Sequence, residues 1–154
     1  MILVTLGTQK ESFKRLLDYI ENSNINDEII VQAGHNKYNS SKMQLFEFIS
    51  YEKMQELIDK ADLIITHGGT GSILMPLKKG KKIIAVPRLA KYLEHVDDHQ
   101  KQIVDIFQDE GYILACNEDD DFNTVLAKVP HFKPKKYISN TEKFIKNLKK
   151  EIDM

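Results

Sequence analysis

Three groups of residues in this sequence have types and spacing suited to chemistry. The first is His67-Gly68-Gly69-Thr70-Gly71-Ser72, preceded by the apolar run Leu63-Ile64-Ile65-Thr66. The second is Arg88, directly after Ile83-Ile84-Ala85-Val86-Pro87, with Glu94, His95, Asp97, Asp98, His99 and Gln100 following it. The third is the short turn Gly7-Thr8 after Ile2 to Leu6. A strand that feeds a glycine-rich turn and a helix start is an anion site. Glycine lets the backbone approach a ligand, and the free N–H groups of the first helical turn point at it. The expected ligand is a diphosphate. The turn is neither G-x-G-x-x-G nor a P-loop, since G-K-[ST] is missing, and read locally it also fits a tight turn with no ligand.

Arg88 sits where a cation reaches phosphate or base; its alternative is a surface arginine. Gln100 carries both a donor and an acceptor, which suits hydroxyl recognition. His95 fits three roles: a base, a ligand contact, or a plain loop residue. His95 and His99 have helical metal-ligand spacing with carboxylates nearby, so read locally a metal stays open.

The elements that must position these groups alternate. Ile2 to Leu6 reads as a central parallel strand, near-continuously apolar. Phe13, Leu16, Leu17 and Ile20 follow at helical spacing, with Ser12 as the expected N-cap. Further strands are expected at Glu28–Gln32, Leu45–Ile49, Leu63–Thr66, Lys82–Val86 and Tyr112–Ala115. Helices are expected after Ser50, from the glycine turn to about Lys79, from Gln100 to Glu110 and from about Asn123. Gly80 and Gly111 serve as left-handed stops. Pro76 is compatible with its helix only in the first turn. The acidic run Glu118 to Asp121 reads as a solvated loop that caps the next helix. An amphipathic C-terminal helix is expected at about 141–151, carrying Phe144, Ile145 and Leu148. The fold class is therefore α/β: a single Rossmann-like parallel sheet with helices on both faces, in one domain over residues 1–154. In such sheets ligands lie beyond the carboxyl ends of the strands. The Gly7, Ile49, glycine-turn and Arg88 loops all follow strand ends, so they converge on one rim.

The chain has 154 residues, 42% of them apolar, and a formal net charge of −1. No global field draws it to nucleic acid. The single cysteine, Cys116, excludes an intrachain disulfide and follows the apolar run Tyr112 to Ala115, so a packed thiol is expected. No apolar run reaches the ~20 residues of a transmembrane helix, and Met1 to Leu6 reads as a strand rather than a signal peptide.

The combination of HGGTGS, a strand ending in Val86-Pro87-Arg88, and Glu94-His95-Val96-Asp97-Asp98-His99-Gln100 resembles the donor-binding half of GT-B glycosyltransferases. It is most similar to the small catalytic subunits of two-part UDP-sugar transferases of the glycosyltransferase family 28 C-terminal type. These include bacterial capsule and exopolysaccharide subunits and the cytosolic subunit of the eukaryotic dolichol-linked GlcNAc transferase. The resemblance runs from Val4-Thr5-Leu6-Gly7-Thr8 to about Cys116. It implies an inverting transfer, with no metal and no cofactor, of a hexosyl unit (galactose, glucuronic acid or GlcNAc class) from a UDP-sugar to a polyprenyl-diphosphate-linked saccharide. By that resemblance the diphosphate lies on Gly69, Thr70, Gly71 and Ser72, with His67, Gly68, Gly7 and Thr8 around it. Uracil is held near Phe48 and Ile49, and the sugar hydroxyls by His99 and Gln100. Glu94 and His95 match the EH pair of the bacterial subunits and are the catalytic candidates; the base is alternatively supplied by a partner. One departure stands out: Met75 occupies the position where relatives usually carry a glutamate that holds the ribose hydroxyls.

A complete GT-B enzyme has two such halves, and this chain has the length of one. The resemblance implies a separate membrane-anchored subunit that binds the acceptor, and a cytoplasmic chain recruited to the inner face of the membrane. Two other readings stay open. One is a non-catalytic UDP-sugar-binding or stabilising subunit, which Met75 favours. The other is an unrelated nucleotide-binding α/β protein.

Overall fold

The structure, a computed structural model, describes residues 1–138. The expected helix at about 141–151 lies outside these residues. Six strands form one parallel sheet: β1 (Ile2–Thr5), β2 (Ile29–Gln32), β3 (Met43–Phe46), β4 (Leu63–His67), β5 (Ile83–Val86) and β6 (Leu114–Ala115), in the order β3-β2-β1-β4-β5-β6. Five helices connect or follow them: α1 (Lys14–Glu21), α2 (Tyr51–Lys60), α3 (Thr70–Lys78), α4 (His99–Asp109) and α5 (Phe122–Lys128).

The apolar runs of β1, β4 and β5 are buried on both sides because helices cover both faces of the central sheet, whereas the edge strand β3 is partly exposed. Val4, Val31, Ile65 and Val86 pack with Phe13, Leu16 and Leu17 of the α1 side and with Phe122 and Val125 of α5. Leu3, Ile64, Ile83 and Ala85 face Leu57 and Ile58 of α2, Ile73 and Leu77 of α3, and Val104 and Phe107 of α4. Strand order reverses at the β1/β4 pair, where Thr5 lies beside Thr66 in register. Reversal there sends the connecting loops apart and leaves a crevice at the carboxyl ends. Thr5 Oγ1 donates to or accepts from Thr66 Oγ1 at 2.7 Å, so the two hydroxyls satisfy each other at the crevice floor.

Helix ends follow the sequence with two exceptions. Ser50 Oγ accepts from the Lys53 N–H at 3.2 Å, and Asp121 Oδ2 from the Thr124 N–H at 2.9 Å, as N-caps do. Beyond α4, Gly111 adopts φ +83° and the Tyr112 N–H reaches back to the Phe107 carbonyl, a Schellman closure with its apolar Phe107–Tyr112 contact. Ser12, however, does not cap α1. The Phe13 N–H donates instead to Asn36 Oδ1 at 2.6 Å, a cap supplied across space from the turn after β2. Pro76 lies beyond the first turn of α3, contrary to the sequence expectation. It cannot donate to the Ser72 carbonyl, and its ring is buried beside the crevice. The third strand begins at Met43 and ends at Phe46, earlier than expected, so Phe48 and Ile49 belong to the loop after it.

Candidate functional site

A pocket of about 290 Å³ opens at the reversal point, near the lower end of the ~300–1,000 Å³ usual for small-molecule sites. Leu3, Thr5 and Ile64 form its floor; Met54 and Ile58 of α2 and Met75 and Pro76 of α3 form its walls. Its rim brings together Gly7, Thr8, Phe48, Ile49, Gly71 and Ser72, six residues singled out in the sequence from three separate loops. Phe48 is 55% exposed and meets His35 edge-on at 5.2 Å between centroids. Among the described residues no acidic side chain lines the pocket. Met75 is in its wall, so the position of the expected ribose-binding carboxylate faces the pocket as a thioether.

The glycine turn has a tight interior and an open outer side. A Cβ at Gly69 would lie 2.5 Å from His67 Cε1, and one at Gly7 would lie 2.7 Å from His67 Nε2. The His67 ring is thus gripped between two backbones that only glycine permits. A Cβ at Gly68 would meet Gln100 at 2.8 Å. Gly71, by contrast, has nothing within 4 Å on its Cβ side and faces the pocket. Among the described residues no side chain caps α3, so the N–H groups of its first turn remain for a ligand, with the positive end of the helix dipole behind them.

Under the turn lies a polar network. Gln100 is 3% exposed. Its Oε1 accepts from the Gly68 N–H at 2.9 Å and the Arg88 N–H at 3.1 Å, and its Nε2 lies 3.0 Å from His67 Nδ1. His67 Nε2 lies 3.0 Å from Ser72 Oγ. Burial first, then the Arg88 charge, pushes the His67 pKa down to about 3, so the imidazole is neutral at physiological pH.

The second group of candidates turns inward. Arg88 is fully buried. Its guanidinium donates to the carbonyls of Glu11 (2.8 Å), Glu94 (3.0 Å) and Leu6 (2.6 Å), and stacks 4.8 Å over the Phe13 ring. Burial lowers its pKa to about 10. It is a strut that ties the loop after β1 to the loop after β5, and the cation expected to reach phosphate or base is directed away from the pocket. Glu94, 3% exposed, holds Arg15 through both oxygens and accepts the Leu89 N–H at 3.0 Å. It is therefore committed to structure rather than offered as a catalytic carboxylate. His95 Nδ1 accepts the Asp97 N–H at 3.3 Å and lies 3.1 Å from Asp97 Oδ1, while His99 Nδ1 lies 3.5 Å from Asp97 Oδ2; both rings stay partly exposed. Neither lines the pocket. Among the described residues, no three His, Cys, Asp or Glu side chains converge as metal ligands do. Cys116 is a packed thiol, its pKa pushed up to about 11 by burial.

The sequence reading passed over Gln32. It is 6% exposed, lines the pocket, and its Nε2 donates to the Gly7 carbonyl at 3.1 Å, which shapes the turn opposite α3. A polar residue closing an otherwise apolar strand was the available signal.

Comparison with known proteins bears on the fold and the family. The UDP-N-acetylglucosamine transferase subunit ALG13 of Saccharomyces cerevisiae is 33% identical over 111 residues, covering 71% of this chain and 50% of that protein. Its Candida glabrata counterpart is 36% identical over 96 residues, covering 60% and 44%. This chain spans about half the length of these curated relatives. Among solved structures, the NMR solution structure of ALG13 matches with a TM-score of 0.60 at 22% identity, covering 96% of this chain and 94% of that one. MurG of Acinetobacter baumannii matches with a TM-score of 0.57 at 18% identity, covering 95% and 44%. These likenesses show the fold of one half of a GT-B glycosyltransferase. In sequence, the match to the glycosyltransferase family 28 C-terminal domain runs over residues 1–153, and the chain belongs to that family.

Proposed function

We propose that this chain is the donor-binding subunit of an inverting, metal-independent hexosyltransferase that draws on a UDP-sugar. The observation that carries this reading is the uncapped N-terminus of α3 opening, through Gly71 and Ser72, onto a largely apolar pocket at the β1/β4 reversal. An apolar cavity with hydroxyls and backbone donors at one end suits a nucleoside diphosphate: the base and ribose enter the cavity and the diphosphate meets the turn. Departure of UDP leaves negative charge on that diphosphate, and fixed N–H dipoles stabilise it without a metal.

The other half of the reaction belongs to a partner. A polyprenyl-linked saccharide needs a surface at the membrane, and no helix among the described residues is long and apolar enough to cross one. A membrane-anchored subunit that brings the acceptor and recruits this chain to the cytoplasmic face completes the scheme. Relatives named as subunits of a UDP-N-acetylglucosamine transferase support it and favour GlcNAc among the hexoses; a place in capsule or exopolysaccharide synthesis is the corresponding bacterial setting. Proximity of two bound substrates supplies ~7–11 kcal/mol of a barrier, which a half-site alone forfeits. The catalytic base belongs on the partner or to His95, since Glu94 is committed to Arg15.

A second reading, a non-catalytic UDP-sugar-binding subunit, draws on Met75 in the pocket wall and the lack of an acidic side chain among the described residues that line it. One experiment separates the two. UDP, UMP and ADP are titrated by calorimetry, and transfer from a radiolabelled UDP-sugar is followed with and without membranes that contain the partner. The proposal expects UDP binding by the chain alone and transfer only with the partner. Preference for ADP over UDP overturns the donor assignment. Partner membranes that transfer equally well without the chain favour the second reading.

A further inference from the structure

The network beneath the glycine turn fixes the direction of every hydrogen in it. The N–H groups of Gly68 and Arg88 are obligate donors, and both face the same atom of the Gln100 amide. That atom must be the oxygen, so the NH2 group faces His67 Nδ1. An NH2 group offers no acceptor, so Nδ1 must present its lone pair. The neutral ring then carries its hydrogen on Nε2, which points at Ser72 Oγ. Nε2–H donates to Ser72, and the serine's own hydrogen is left to point elsewhere. Among the described residues no other acceptor takes it, and Ser72 lines the pocket. Gly7 and Gly69 hold the ring in this orientation, since a Cβ at either would overlap it.

We propose that Gln100, acting through His67, is a positioning residue that locks Ser72 as a hydrogen-bond donor into the pocket, where it meets a diphosphate oxygen. This rests on the donor-binding reading of the site. A serine free to rotate presents either a lone pair or a hydrogen to its surroundings, and an anion tolerates only the hydrogen. Polarity is thus set before the ligand arrives. It also gives Gln100 a function distinct from direct contact with sugar hydroxyls, because both ends of its amide are engaged under the turn. The depressed His67 pKa is consistent, because a second ring proton would face the NH2 group.

Two measurements test the relay. The first needs no ligand: a long-range ¹H–¹⁵N spectrum of the histidines in the unaltered protein. A protonated Nε2 and a bare Nδ1 are expected for His67; a protonated Nδ1 overturns the relay.

The second is calorimetry with UDP and with uridine on Ser72→Ala, Gln100→Glu and the double variant. Glutamate keeps one oxygen on the Gly68 and Arg88 amides but sets a second acceptor against Nδ1. The ring hydrogen moves to Nδ1, and Nε2 then takes the hydrogen of Ser72. Measured above the usual imidazole pKa range, with the fold checked by the amide spectrum, Gln100→Glu should weaken UDP about tenfold or more, by the worth of a hydrogen bond to a charged group. It should leave uridine unchanged and cost far less in the Ser72→Ala background. An equal cost with and without Ser72 shows that the added charge acts through space, and overturns the relay. Failure of the unaltered chain to bind UDP overturns the donor site itself and the ligand half of this proposal, whereas the tautomer reports on the relay alone.

Discussion

Arg15 and Glu94 meet in a two-pronged pair. Arg15 Nε donates to one carboxylate oxygen at 3.0 Å and its terminal nitrogen to the other at 2.9 Å. The pair joins α1 to the loop after β5, and the same arginine nitrogen also reaches the Pro87 carbonyl at 2.9 Å. Burial, the largest single influence, would lower the Arg15 pKa, but Glu94 and Tyr19 together outweigh it and the net shift is upward. Together with Arg88, this pair fixes the loop that leads to His95 and α4.

Glu94→Ala should therefore act on stability. It leaves a guanidinium with 15% side-chain exposure without its carboxylate and removes the acceptor of the Leu89 N–H. Breaking a buried pair from one side costs about 3–5 kcal/mol. The expected outcome is a large fall in the urea midpoint at unchanged slope. A fall below about 1 kcal/mol would place the pair among the weak surface pairs.

Gly69 and Gly71 should part company. Gly71→Val has room for its side chain in the folded protein but places it in the pocket, so the domain should fold normally and lose UDP binding by at least about tenfold, the factor set by 1.4 kcal/mol. Gly69→Val would drive a methyl group into His67, 2.5 Å from Cε1, and should lower the melting temperature as well. Calorimetry and thermal unfolding on both variants are the check; normal UDP affinity in Gly71→Val would move the anion site elsewhere.

Met75→Glu should place a carboxylate in the pocket wall and tighten UDP binding. A hydrogen bond to a charged group is worth about 1.5–3 kcal/mol, so roughly tenfold or more is expected against UDP and little against 2′-deoxy-UDP. Equal gains for the two ligands would show that the new carboxylate does not touch the ribose.

His67 makes stability depend on pH. Its folded pKa of about 3 lies below the ordinary value of 6.5, so the unfolded chain takes up the proton first. The contribution is complete above 6.5 and is lost progressively as pH falls toward 3, at up to ~1.4 kcal/mol per pH unit. His67→Asn should show a shallower loss of stability between pH 7 and pH 5 than the unaltered chain. Parallel slopes in denaturant titrations would mean that His67 titrates normally.

By itself the sequence determined the alternation of strands and helices, the parallel sheet, and the identity of the loops at one rim. Those follow from local periodicity and from the rule that a buried parallel strand is apolar on both faces, as Ile2 to Thr5 and Ile83 to Val86 are. It also placed the Gly7-Thr8, Ile49 and Gly71-Ser72 loops on one rim, because strand ends in such a sheet converge, while Phe48 came from the family resemblance. Only the tertiary structure decided which polar residues look into the pocket and which hold it together from beneath. Arg88, Glu94 and Gln100 read as ligand contacts because charged and amide side chains beside a site are ambiguous in one dimension. Their partners, the carbonyls of Leu6 and Glu11, Arg15, and the Gly68 amide, are distant in sequence and invisible to any local pattern. The cap of α1 is the same case: Asn36 replaces Ser12 because the turn after β2 folds over the helix start, a contact that no residue near Phe13 encodes.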